Sequence, residues 1–158
     1  MDRKRIEMIF ADELRRAGYK KRRRTWFLDQ EEAVLLLNLQ GSRWGPQFYV
    51  NLAVWFKHFG DNPCPREEHC HVRVRWESAL PDRSKEKKKE LADLLDLEDA
   101  SISDDTREAR IRLSIRDVAL PFLARLHSVE SLGNALSDGH VKQWMLTLNA
   151  KQLLGIGA

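Results

Sequence analysis

Apolar residues open the chain at helical spacing: Ile6, Ile9, Phe10, Leu14 and Ala17 share one face, and Gly18 follows as a stop. This predicts a helix from about residue 3 to 17. The period then shortens to two. Segments 19–29, 32–40, 47–59 and 69–77 read as strands, the first basic and then aromatic, the second rich in Leu and Val, the last two clearly alternating. Short connections at 29–31 and 41–46, and a loop holding Gly60, Asp61, Asn62, Pro63 and Pro65, suit an antiparallel meander.

Residues 81–85 end this sheet region, and the remainder reads mainly as helix. Leu91, Leu94 and Leu95 mark one helix, entered through the charged stretch 85–90. Asp105 and Glu108 have the spacing of a capping box. Residues 107–116 carry two periods at once. Ala109, Ile111, Leu113 and Ile115 alternate with Arg110, Arg112 and Arg116 as in a strand, yet Ile111, Ile115, Val118 and Phe122 keep helical spacing. The cap favours helix, with Pro121 expected to kink or break it. Ser128 caps a short helix stopping at Asp138-Gly139. A last amphipathic helix carries Val141, Trp144, Met145 and Leu148 and closes at Gly155. The fold class is therefore α+β: a four-stranded antiparallel meander, one helix before it and several after, in a single domain over 1–158.

Alternate strand residues point to opposite faces. Leu35, Leu37 and Leu39, then Phe48, Val50, Leu52, Val54 and Phe56, then Val72, Val74 and Trp76 form the expected core face, with the N-terminal helix packed on it. The other face presents Asn38 and Gln40, then Tyr49, Asn51 and Trp55, then His71, Arg73 and Arg75. Aromatics beside Arg, Asn and Gln suit stacking and hydrogen bonding to a ligand. Either the C-terminal helices cover this face, with its polar groups satisfied locally, or it stands open.

Composition narrows the class. Apolar residues make up 42% and charged residues 32%, and five Trp and six Phe argue against disorder. Residues 1–10 are charged and unlike a signal peptide, the longest apolar run (33–37) is too short to span a bilayer, and the two cysteines, Cys64 and Cys70, make no disulfide framework. A cytoplasmic protein without membrane association is expected. The net charge of +3 hides an asymmetry: residues 1–60 hold 12 basic and 7 acidic side chains, residues 61–158 hold 15 and 17. The excess lies in Arg15, Arg16 and the run Lys20, Lys21, Arg22, Arg23 and Arg24, which can meet an anionic partner.

Candidate chemistry is sparse. His58, Cys64, His69, Cys70 and His71 are zinc-ligand types around one loop, but no finger spacing is present. Strand parity also sends His58 and Cys70 toward the core and His69 and His71 away from it, so no metal and no cofactor are expected. There is no nucleophile elbow, Gly-rich phosphate loop or paired metal-binding His on a helix, and isolated acids such as Asp12, Glu13, Glu67 and Glu68 read as solvated surface. No catalytic residue is assigned. An enzyme with a site assembled from distant residues stays third. The basic run reads either as a charged edge that resists strand pairing or, with Arg73, Arg75 and Trp55, as a track for a phosphate backbone. The aromatic signature of RNA-recognition sheets is absent.

Four stretches carry a resemblance: ELRRAGYKKRRRTWF, LLLNLQGSRWGPQFYVNLAVWF, HCHVRVRW and ALPFLARLHSVESLGNAL. Together they resemble a bacterial family of uncharacterised proteins, domain-of-unknown-function family 4304, from residue 5 to about 155. The resemblance implies helix rather than strand at 107–120 and brings no catalytic residue with it. The leading expectation is a non-catalytic binding module, immunity-like or regulatory, with a protein partner. Its contact surfaces would be residues 20–24 and the face bearing Gln40, Tyr49, Asn51, Trp55, His71, Arg73 and Arg75. Nucleic-acid or nucleotide binding through the same residues is the alternative. The oligomeric state is not legible.

Overall fold

The computed structural model describes residues 1–81 and 84–157, so Asp82 and Arg83, inside the stretch expected to end the sheet region, lie outside it. Helix α1 (Arg3–Arg16) starts where the Asp2 carboxylate accepts from the Arg5 N–H, and it ends before Gly18, whose φ of 87° reverses the chain. Its buried stripe of Ile6, Ile9, Phe10 and Leu14 matches the helical period.

The sheet has five strands rather than four, in the order β1-β2-β3-β4-β5 and antiparallel throughout. What reads as one strand over 19–29 is a hairpin of β1 (Lys20–Arg22) and β2 (Thr25–Asp29), turning at Arg23 and Arg24. Arg23 takes a left-handed φ of 57°, unusual for a residue with a side chain. Without Gly, Asn or Asp at that point, the sequence gives no turn signal. Strands β3 (Ala33–Gly41) and β4 (Phe48–Phe56) pair over nine residues, from Ala33 opposite Phe56 to Gly41 opposite Phe48. Strand β5 (Val72–Arg75) is shorter than expected, because 3-10 turns at Glu67–His69 and Trp76–Ala79 take its ends.

The expected core face is the core face: Leu35, Leu37 and Leu39 of β3, Phe48 to Phe56 at alternate positions of β4, and Val72, Val74 and Trp76 all belong to one buried cluster. Every helix packs on that side. After α2 (Lys85–Asp93), helix α3 (Asp104–Ser114) runs through a π turn (Ile115–Ala119) into α4 (Leu120–Ala124). Residues 107–116 are thus helical. Ser103, not Asp105, is the cap, accepting from the Thr106 N–H, while Glu108 binds Arg5 and Arg112. Pro121 does not break the path, because it follows directly on the π turn, where the Leu120 N–H already bonds the Ile115 carbonyl and the regular ladder is interrupted. Helix α5 (Val129–Ser137) is capped by Ser128 and stops at Asp138 as expected. The last helix is shorter than its pattern implies. Residues 143–145 form a separate 3-10 turn, α6 covers only Leu148–Leu153, and Trp144 and Leu148 are exposed.

Two charged side chains are buried with full sets of partners. Glu13 of α1 accepts from Arg112 and Arg116 at 2.7–2.9 Å, so it clamps α1 to α3 instead of lying in solvent. These guanidiniums, Arg116 first, hold its carboxyl below the usual carboxylate range. Arg107 donates to the carbonyls of Asp93, Leu94, Asp96 and Asp99, fixing the link between α2 and α3. Among the described residues, no helix is long and apolar enough to cross a membrane.

Leu52 is fully buried at the centre of β4. Leu52→Ala should lower unfolding stability by about 2–5 kcal/mol, and Asn51→Ala, on the opposite face, by about 1 kcal/mol. Denaturant titration reads both, and an unchanged Leu52→Ala protein would mean that the β4 register is off by one.

Candidate functional site

Among the described residues, no α-helix packs on the second face of the sheet. Its lower part is a small apolar cluster of Val34, Leu36, Ala53 and Cys70, with Phe27 and Trp55 against it. The connection from β4 to β5 closes over this part. The Trp55 indole donates to the Gly60 carbonyl at 2.9 Å, and the Cys70 thiol donates to the Arg66 carbonyl at 3.4 Å. Cys70 therefore faces away from the core, against the parity expectation, because strand pairing begins only at Val72. Burial, then the nearby Glu67, pushes its thiol up to about 12, so it is no nucleophile near neutral pH.

His71 anchors the cover. Its Nδ1 accepts from the Phe56 N–H at 2.9 Å, and its ring lies between Trp55 and Phe59 at centroid distances of 4.5 and 4.4 Å. It is only 4% exposed. The other zinc-type residues do not join it. His58 sits in a 3-10 turn facing Glu32, exposed and not aimed at the core, and His69 is also exposed. Among the described residues, no three His, Cys, Asp or Glu converge on a metal position.

Above the cluster the face turns polar. Thr25, Asn38 and Asn51 stand at consecutive cross-strand positions, with Arg75 next in line. Asn38 Nδ2 donates to Thr25 Oγ1 at 2.9 Å, and Asn51 Nδ2 donates to Asn38 Oδ1 and Gln40 Oε1 at 3.0 and 3.1 Å. This ladder satisfies the buried amides and fixes their orientation. Gln40 and Arg73 are exposed; Arg73 grips Glu67 through two donors at 3.1 and 3.4 Å. The Arg75 guanidinium lies 4.5 Å over the Tyr49 ring.

The result is a two-part groove. A cavity of about 700 Å³ is lined by Arg22, Arg23, Thr25, Asn38 and Arg66, and one of about 440 Å³ by Asn51, Arg75, Trp144 and Thr147. Gln40, Glu67 and Arg73 stand between or along them. The structure thus brings together Gln40, Tyr49, Asn51, Arg73 and Arg75. It buries His71 under the loop and holds Trp55, half-buried, against His71 and Gly60. It also splits the basic run: Lys21 lies over the Trp26 ring and Arg24 pairs with Glu7 at 2.8 Å on the helix side, while Lys20 and Arg22 flank the open face. Trp144, Arg66 and Glu67 were not legible as groove residues. Trp144 reads as a core position of a helix, and only the bridge between Val72 and Leu146 brings its segment beside β5.

Burial lowers the His71 pKa below the ordinary value near 6.5. The unfolded chain therefore takes up a proton that the folded chain resists. The stability contributed by neutral His71 is full above about pH 6.5 and is lost as pH falls below it. Thermal midpoints at pH 7.5 and 5.5 should fall further for the unmodified protein than for His71→Asn, whose amide oxygen can accept from Phe56. Equal slopes would contradict a buried neutral ring.

A family model described as a domain of unknown function (DUF4304) matches residues 10–125. No curated protein and no solved structure matches the chain.

Proposed function

The chain belongs to the DUF4304 family, and from its geometry we propose a non-catalytic binding module that holds a protein partner on the helix-free face of the sheet. One observation carries the reading: an open groove of Arg, aromatic and amide side chains is built on paired strands while every helix packs on the opposite side. Arg, Tyr and Trp are the residues that anchor protein interfaces, and a rigid floor spares much of the ordering cost of binding.

The same geometry weakens the nucleic-acid alternative. Base stacking needs accessible rings, and Trp55 is committed to Gly60 and His71. A phosphate track along the basic run needs all its cations on one surface, and Lys21 and Arg24 are held on the helix side, away from the groove. Glu67 and Glu68 also interrupt the groove.

Two experiments separate these readings. Labelled single-stranded oligonucleotides should bind no more tightly than the non-specific range of about 10⁻⁴–10⁻⁶ M at physiological salt. Nanomolar, salt-sensitive binding abolished by Trp55→Ala would promote the nucleic-acid reading. A photo-crosslinking side chain at Gln40 should give a discrete protein adduct in cells producing the chain, and the same group at Lys88 on α2 should not. Absence of any Gln40-specific adduct would count against a protein-binding face.

A further inference from the structure

We propose that the groove takes an acidic segment of the partner protein, with carboxylate side chains on Arg75 at one end and on Arg22 and Arg23 at the other. The inference rests on the binding-module reading and adds the partner's chemistry. Charge comes first. Among the described residues, Arg22, Arg23, Arg66, Arg73 and Arg75 line the groove against Glu67 and Glu68, and Glu67 is already held by Arg73. The surplus is positive at both ends, which steers and registers an oppositely charged partner.

Arg75 supplies the second observation. Among the described residues no carboxylate pairs with it, and its Nη1 is shielded from water without a hydrogen-bond acceptor. A desolvated guanidinium N–H left without a partner is a standing cost, and such groups in a native fold ask for an explanation. Nη1 itself is closed off, but Arg75 otherwise lines the groove, and its remaining guanidinium edge, with no carboxylate on it, can take an arriving one in the fork geometry that matches two carboxylate oxygens. The intramolecular pair of Glu67 on Arg73 shows that arrangement two residues away on the same face of β5. Beside Arg75 stand Tyr49 and Trp144, the latter 63% exposed, which offer apolar contact to the partner's neighbouring residues.

A polypeptide fits this pattern better than a polyphosphate. Same-side residues of an extended chain recur about 7 Å apart, so acids can meet the Arg ends while neutral residues pass Glu67 and Glu68. A phosphate backbone has no neutral positions to place there.

Fluorescence anisotropy on the full chain tests this with a labelled peptide alternating Glu and Tyr, against its counterpart with Gln for Glu. The Glu peptide should bind at least about tenfold more tightly, and Arg75→Gln should remove about that factor. The paired change Arg22→Gln with Arg23→Gln, on an exposed turn, should also weaken binding, and Lys88→Gln should not. Circular dichroism checks each fold, and if Arg75→Gln fails to fold the turn variant decides. Equal binding of the two peptides, indifference to the Arg changes, or full displacement by inorganic phosphate would overturn the proposal. A Gln40 adduct without preference for the Glu peptide would leave the binding module standing and remove only its acidic partner. Loss of both removes both.

Discussion

The nine-residue pairing of β3 with β4 is the constraint on which the rest of the molecule depends. It places Leu35, Leu37 and Leu39 beside Val50, Leu52 and Val54, and on the reverse side Asn38 and Gln40 beside Asn51 and Tyr49. A slip of one residue would bury the amides under the helices and expose the leucines, so the hydrophobic alternation permits a single register. The amide ladder reinforces it from the other side, because Asn51 reaches both Asn38 and Gln40 only in this alignment.

Once one face is committed to the core, the helices have a single place to pack. Phe10 of α1 meets Trp26 and Trp76 at 6.3 and 5.9 Å, joining the first helix to both outer parts of the sheet. Glu13 then ties α1 to the long helical segment through Arg112 and Arg116. With the apolar area spent there, the second face is left to the chain's own loops. The β4–β5 connection seals the part containing Val34 and Leu36, and the rest stays open. The groove is thus a consequence of one-sided packing, and Arg22, Arg23, Arg73 and Arg75 stand on strands or at a tight turn, with Arg66 on the β4–β5 connection.

The sequence made these faces legible because strand parity is local and strict: the core set in β3, β4 and β5 can be read from alternation alone. Helix α1 was legible for the same reason, its period being unbroken. Features set by backbone geometry were not. The turn at Arg23 lies inside an all-basic run with no turn residue to mark it, so two strands read as one and five strands as four. Cys70 and His71 stand just before pairing begins, where parity no longer applies, and both turn to the same side. The dual period at 107–116 was resolved by tertiary packing of Ile111 and Ile115 into the core. Among the expected contact residues, Gln40, Asn51, Arg73 and Arg75 share the groove, with Tyr49 stacked against Arg75. Trp144 joins them from about 70 residues away, a distance no local pattern can bridge.

Thiol accessibility tests the central claim, one helix-covered face and one open face, most directly. In a background with Cys64→Ser and Cys70→Ala, single cysteines at Gln40, Arg73, Leu37 and Leu52 would be challenged with a water-soluble thiol reagent under native conditions. The account expects cysteines at Gln40 and Arg73 to react as free thiols do, and those at Leu37 and Leu52 to stay protected until the protein unfolds. Protection at Gln40 and Arg73 with rapid reaction at Leu37 would contradict it.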